Sequence, residues 1–373
     1  MCCGDVTEVV VSCLGRYVVP GLGIYFVDRE REVRYVLDWV LRGVSWNYVV
    51  YGPWGCGKTE FARAVTYAVE ELNDFVFLYV DLTQSELHQA IYARYGVKEL
   101  LLELVQRVCE DLLKFPLKVF ALLRKLCEVY KLVGRYLVIF MDEVTRSLDR
   151  YRISIRDYVS ALDKAIHEWR RELGLRNIVT VLLTSELSLI QYFRREVGKT
   201  LSIYEMWNLS KSAFMRLLEE VKCPLDYEIL WRLCGGNPRL IYELRNVYAW
   251  DVERWLEREI VRCWSLYSMI RRSDVLLKYL RSVVEEIDSL APIPITEELK
   301  QQLPEVALTQ ELLRQNMVIP LEPTNHLLSE VPREEWIGRE WAWQVPLYYY
   351  IFRAILEKEQ KPTSETILRE VST

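Results

Sequence analysis

Four residues of one short stretch, Gly52, Gly57, Lys58 and Thr59, have the types and spacing to hold a chain of phosphates. They stand in GPWGCGKT (52–59), which fits G-x-x-x-x-G-K-[ST]. Glycines let successive backbone N–H groups of Gly52, Pro53, Trp54, Gly55, Cys56 and Gly57 turn inward as an anion nest, Pro53 excepted because it has no N–H. A helix starting at Lys58, Thr59 and Glu60 adds its partial positive charge. Lys58 then reaches the β- and γ-phosphates, and the Thr59 hydroxyl ligates Mg²⁺. A triphosphate site needs a second acidic ligand for the metal. Asp142-Glu143 follows the apolar run YLVIFM (136–141), so Asp142 enters the metal shell and Glu143 polarises an attacking water. Either motif alone has a bland alternative: a glycine turn with an exposed lysine, or an acid that caps a helix. Together, with the right flanks, they favour nucleotide chemistry.

The flanks are what a doubly covered parallel sheet requires. NYVVY (47–51) reads as a buried strand, and 60–72 as a helix with an apolar face through Phe61, Ala64, Val65, Ala68 and Leu72. FVFLYV (75–80) ends at Asp81, NIVTVLL (177–183) ends at Thr184-Ser185, and 201–206 is a weaker strand. Helical stretches fall at about 84–113, 116–133, 154–173 and 186–196. Alternating strands and helices imply an α/β protein with ligands at the carboxyl ends of its strands. Thr184 or Ser185 is placed to bind the γ-phosphate or the lytic water, or else merely closes a turn.

Taken in this order and spacing, FVDRE (26–30), GPWGCGKT, VIFMDE (138–143), LLTSE (182–186) and CGGNPRL (234–240) resemble the archaeal ATPases of the STAND-like P-loop group. These are cousins of AAA+ proteins, the origin-recognition initiators included. The resemblance covers about residues 24–250. It implies a P-loop NTPase fold of the ASCE/AAA+-like type, with a helical lid and a C-terminal winged-helix-like domain. It implies ATP or ADP with Mg²⁺ as ligands. It places Pro238 close to the nucleotide and Arg239 where relatives carry a second sensor arginine; a surface arginine is the alternative. Asp28 is expected to cap the helix through Leu41, and its neighbours to lie near the base. Arg194 and Arg195 stand where AAA+ rings carry an arginine finger that acts in trans, but STAND-like proteins often lack one there and a solvated basic helix end is the default reading. One departure is Trp54-Gly55-Cys56, where relatives often have basic residues. Cys56, at a helix start beside Lys58, is a candidate reactive thiol or simply a tolerated small residue. The loop alone also looks like that of rotary-ATPase catalytic subunits, but the remaining motifs do not.

The expected domains are an N-terminal segment 1–25, the ATPase domain 26–206, the lid 207–265, a winged-helix-like domain 266–359 and a mobile tail 360–373. In the third quarter of the chain Asn237 is a helix cap and Pro238 a first-turn residue. Further on, 274–287, 296–303 and 308–315 read as helices, 318–319 and 341–345 as strands, and 346–356 as a closing helix. Residues 266–373 hold 12 lysines and arginines against 17 acids, which accounts for the whole formal charge of −5. The would-be recognition helix, ALTQELLRQNM (307–317), has one arginine and one glutamate. DNA affinity rests largely on neutralised phosphates, so a protein partner fits this region better than DNA. The cluster Trp336, Trp341, Trp343, Tyr348, Tyr349 and Tyr350 reads first as core.

Composition bounds the rest. Hydrophobic content of 51% and charged content of 27% describe an ordered chain with ample core. No run of about 18 apolar residues suggests a membrane span, and the N-terminus lacks a basic secretory leader. Nine cysteines without a CxxC pair, and three histidines, argue for buried thiols rather than zinc. Together these features fit a cytoplasmic protein, and the wealth of Tyr, Trp, Arg and Glu suggests a thermophile. The leading expectation is a slow Mg²⁺-dependent ATPase that acts as a conformational switch, with nucleotide-dependent oligomers possible. The alternatives are an ATP-regulated DNA-binding initiator and a non-hydrolysing scaffold that holds ADP.

Overall fold

The computed structural model describes residues 3–84, 91–93, 133–150, 152–187, 190–292 and 303–372. Most of the helices expected at 84–113 and 116–133, and all but the last residue of 296–303, lie outside the described residues. The chain divides into two compact units. The first comprises 1–19, 29–51 and 58–206; the second comprises 20–28, 52–57 and 207–373.

The first unit is built on a six-stranded sheet. Across it run Ile91–Ala93, Phe75–Asp81, Tyr136–Asp142, Asn177–Thr184, Trp46–Tyr51 and Leu201–Glu205. Only the short Ile91–Ala93 strand pairs antiparallel; the other five are parallel. Their near-continuous apolar runs are the expected composition of strands covered on both faces, and all seven residues of Phe75–Asp81 and all eight of Asn177–Thr184 are buried. The strand ending at Asp142 does not pair with the strand leading into the glycine loop; Asn177–Thr184 separates them. Register sets the strand ends level: Asp81 stands opposite Asp142, and Tyr51 opposite Thr184. Carboxylates and hydroxyls at those positions therefore come out along one edge.

Buried amides pin the other edge. Asn177 Nδ2 donates to the Val40 carbonyl at 2.7 Å, and Asn47 Oδ1 accepts from Thr180 at 2.6 Å. The first bond ties the end of helix Glu30–Leu41 to the sheet, and Trp39 on that helix stacks on Tyr48 with ring centroids 4.0 Å apart. Asp28 does not cap this helix, contrary to expectation. A capping residue takes an extended backbone, but Asp28 and Arg29 both have left-handed φ, 66° and 80°. Arg29 occupies the cap position with no side-chain cap, and its guanidinium is buried against Glu32 at 2.7 Å.

The second unit is mainly helical. Helices Lys211–Glu220, Tyr227–Cys234 and Pro238–Asn246 start at Ser210, Asp226 and Asn237, each of which accepts a backbone N–H in its first turn. Asn237 and Pro238 thus play the expected cap and first-turn roles. Helix Val252–Ile270 runs through 265, where the sequence suggests a boundary. Its buried stripe, Trp255, Leu256, Ile260, Cys263, Leu266, Tyr267 and Ile270, continues without a glycine or proline to break it. Helices Asp274–Glu285 and Pro304–Arg314 follow. Strands Val318–Pro320 and Trp341–Trp343 pair antiparallel, and helix Pro346–Lys358 closes the region. Trp336, Trp341, Trp343, Tyr348 and Tyr350 are buried in the core.

The tail corrects its expectation. Ser364–Ser372 is a helix, entered at Thr363, whose hydroxyl accepts from Thr366 N. Ile367 and Val371, four residues apart, are both buried, and Arg232 donates to the Val371 carbonyl at 2.9 Å. An i, i+4 apolar pair is enough to dock a short helix, and the polar run KPTSET in front of it conceals that pair.

Candidate functional site

In the first unit the site grows from the start of helix Lys58–Ala68 and the end of strand Tyr136–Asp142. Lys58 is buried, with 6% of its surface exposed. Thr59 Oγ1 donates to Asp142 Oδ2 at 2.5 Å, so the two expected metal ligands are already together. Tyr79 OH donates to the same oxygen at 2.8 Å, and Glu143 N donates to Asp142 Oδ1 at 3.0 Å. Burial pushes the Asp142 carboxyl up; the Thr59 and Tyr79 hydroxyls pull it back, and Asp81 pushes it further up. No lysine or arginine pairs with Asp142 among the described residues. A buried carboxylate surrounded by hydroxyls and an amide, with Arg63 acting on it electrostatically but not in contact, is a hard-oxygen site that suits a small divalent cation.

Glu143 follows in a left-handed conformation, φ 53°. A non-glycine residue held there is strained and over-determined by its surroundings. Burial raises its carboxyl, the neighbouring Asp142 raises it further, and Arg146 and Lys58 oppose the shift. Arg146 is 3.7 Å from it but well exposed. Glu60, half-buried, accepts from Tyr17 OH at 3.0 Å and pairs with Arg63 at 3.3 Å; burial raises its carboxyl too.

Thr184 is buried at its strand end. Its hydroxyl lies 3.0 Å from Thr145 Oγ1 and accepts from Glu186 N at 3.0 Å. The turn-closing alternative is thus seen in Thr184, whose hydroxyl also meets Thr145 at the strand end. Ser185 is half-buried beside it. Arg194 and Arg195 are exposed at the end of the short helix Ile190–Arg194, and Arg195 lies over the Tyr192 ring at 5.6 Å.

Gly52 to Gly57 belong to the second unit, with Pro238 and Arg239. Cys56 N donates to the Pro53 carbonyl at 3.2 Å, and Gly55 and Gly57 have φ of 81° and 99°. The Cys56 thiol is fully buried, which argues against the reactive-thiol reading because a modifier has no access to it. Arg239 lies over the Trp54 ring at 5.4 Å and over Tyr242 at 5.0 Å, and its Nε pairs with Glu243 at 3.2 Å. Trp54 is partly exposed, with one ring face against Arg239. A Cβ on Gly57 would stand 3.9 Å from Pro238 Cγ, ordinary contact.

Several contributors carried no sequence signal. Tyr79 and Thr145 are ordinary members of their elements until the fold brings them to Asp142 and Thr184. Asn208 and Gln344 are isolated amides in apolar surroundings.

A parallel sheet, a glycine loop running into a helix, and a threonine paired with a strand-end aspartate define a P-loop NTPase. Residues 26–244 match the model of the ATPase domain found predominantly in Archaea. That is more than half of the chain, and the protein belongs to this family. No curated protein matches it. Among solved structures it is similar to the Aeropyrum pernix ORC2 protein in its ADPNP–ADP complexes, at 16% identity and a TM-score of 0.41, over 91% of this chain and 97% of that one. The ADP form of that protein matches at 14% identity and a TM-score of 0.41, over 91% and 93%. No helix among the described residues is long and apolar enough to cross a membrane.

Proposed function

We propose that the protein binds ATP with Mg²⁺, hydrolyses it slowly, and uses the nucleotide state as a conformational switch. The observation that carries this reading is the Thr59–Asp142 pair at 2.5 Å, with Glu143 next to it in a strained backbone. Thr59 Oγ1 and Asp142 are the groups that would hold Mg²⁺, which supplies neutralising charge to the β- and γ-phosphates when bound. The Gly55 and Gly57 N–H groups and the Lys58 ammonium bind the phosphate oxygens, the Trp54 and Cys56 N–H groups being taken by Gln344 and the Pro53 carbonyl. Glu143 accepts a proton from water as the water oxygen attacks the γ-phosphorus. The bond from that phosphorus to the bridging oxygen breaks, and ADP leaves with the electron pair. Thr184, oriented by Thr145, positions the water or a γ-phosphate oxygen.

Arg239 supplies the switch. It is held by Glu243 and two aromatic faces. Exchanging Glu243 for the γ-phosphate gives ATP a differential affinity for two lid states, and without such a difference a ligand shifts nothing. The region beyond 266 then conveys the state to a protein partner. Its net negative charge offers little to phosphates, and its aromatic cluster is buried rather than displayed for base stacking.

The test is steady-state ATP hydrolysis with and without Mg²⁺, beside Glu143→Gln. Turnover that needs Mg²⁺ and falls on the order of 100-fold or more in the variant, with ATP binding kept, supports the reading. Equal turnover in the two proteins removes Glu143 as the base. Wild type that carries ADP through purification and turns nothing over replaces the ATPase with a nucleotide-holding scaffold.

A further inference from the structure

Three turns far apart in sequence meet at one peptide in the second unit. They are the glycine loop, the CGGNPRL turn and the segment WQVP (343–346). Trp54 N donates to Gln344 Oε1 at 2.8 Å, and Asn237 Nδ2 donates to the Trp54 carbonyl at 2.8 Å. Both polar groups of one loop residue are therefore held by side chains from elsewhere. A second hydrogen of Asn237 Nδ2 goes to Asn208 Oδ1 at 3.0 Å, and Asn208 Nδ2 donates to the Gln344 carbonyl at 2.9 Å, closing a ring. Gln344 Nε2 reaches the Val318 carbonyl at 3.2 Å, and Gln344 N reaches the Met317 carbonyl at 2.8 Å. Asn208, Asn237 and Gln344 are each no more than 3% exposed. All their side-chain oxygens and nitrogens are engaged, since Asn237 Oδ1 also accepts from Arg239 N at 3.0 Å. A buried polar network satisfied in this way fixes one geometry.

The backbones approach too closely for side chains. A Cβ on Gly55 would stand 2.3 Å from Arg239 Cβ, one on Gly235 2.5 Å from Pro346 Cδ, and one on Gly236 2.2 Å from the Leu209 carbonyl oxygen. The glycines of two motifs thus serve contact among the three turns as well as backbone shape.

We propose that Gln344 is a positioning residue for the glycine loop and makes nucleotide affinity answer to the position of the Trp341–Trp343 strand. The inference rests on the ATP reading of the loop and deepens it. Gln344 touches no phosphate in this scheme. It holds the Trp54 peptide so that the Gly55 and Gly57 N–H groups are preorganised for phosphate before the ligand arrives. Linkage makes the coupling reciprocal: a partner that moves the strand changes ATP affinity, and ATP biases where the strand rests.

The experiment uses the full chain with Gln344→Leu and Gln344→Glu. ATP affinity is read by calorimetry and hydrolysis by the split between kcat and KM, with unfolding midpoints measured alongside. Leu fills nearly the same volume and loses both side-chain bonds. Glu keeps an acceptor for Trp54 N and loses the donor to Val318. Gln344→Leu is expected to weaken ATP binding and raise KM about fivefold to tenfold, with kcat within about twofold. Gln344→Glu should bind more tightly than Gln344→Leu. If the leucine variant does not fold, the glutamate variant decides: its affinity should stay within about threefold of wild type. A lower midpoint in Gln344→Leu with unchanged ATP affinity overturns the proposal, because it leaves a purely structural role. Wild type that binds no ATP overturns the nucleotide reading itself, and this inference with it.

Discussion

The two units hold their polar groups by different chemistry. In the first unit the candidate groups are ionisable: Lys58 and Glu60 in the first turn of a helix, and Asp142 and Glu143 at a strand end, with Asp81 opposite Asp142. Burial raises the carboxyls of Asp142, Glu143 and Glu60 above their ordinary range. In the second unit the groups that grip the glycine loop are the neutral amides of Asn208, Asn237 and Gln344. Ions respond to protons, metal and phosphate; amides do not titrate and are weakly screened by salt. On the proposed function, the first set would do the chemistry and the second would fix the geometry.

The largest expected effect that bears on this contrast is geometric. Gly55→Ala puts a Cβ on a residue with φ 81° and drives it to 2.3 Å from Arg239 Cβ, so the loop must leave its place. ATP affinity should fall on the order of 100-fold, while the pH dependence of any remaining turnover stays as in wild type. Calorimetry and a pH–rate series measure both; a loss of less than about threefold would show that the loop is not held as described.

A smaller effect falls on the ionic side. The proposed base must be ionised, and its carboxyl is raised, so turnover should rise with pH through a value above that of an ordinary glutamate. Tyr79→Phe removes a donor that holds Asp142 down. The acid limb should then move to higher pH, lowering turnover about threefold on that limb and sparing it at the alkaline end of the profile. The same variant should leave unfolding of the second unit unchanged. An unmoved limb would separate the Asp142 environment from the chemistry.

How much of this was legible in the sequence differs between the same two regions. The parallel strands announce themselves as apolar runs, and GPWGCGKT and Asp142-Glu143 are contiguous signals whose chemistry depends on residue type. Thr59 and Asp142 were paired on those grounds, and the structure brings them together. Gln344 and Asn208 give no such signal, because a single amide has no period and its partner lies 290 residues away in the case of Trp54 and Gln344. Asp28 looks like a cap until its left-handed φ is known. Ile367 and Val371 form too short a stripe to stand out behind KPTSET. Local motifs are readable in the sequence; contacts that depend on distant closure are not.

The most direct test of the central claim is a calorimetric titration of ATP, with and without Mg²⁺, into wild type and Lys58→Ala. The account predicts saturable binding at one site by wild type, tightened by Mg²⁺, and at least about 100-fold weaker binding by the variant, whose buried ammonium is gone. Equal affinity in the two proteins, or no ATP binding by folded wild type, would contradict it.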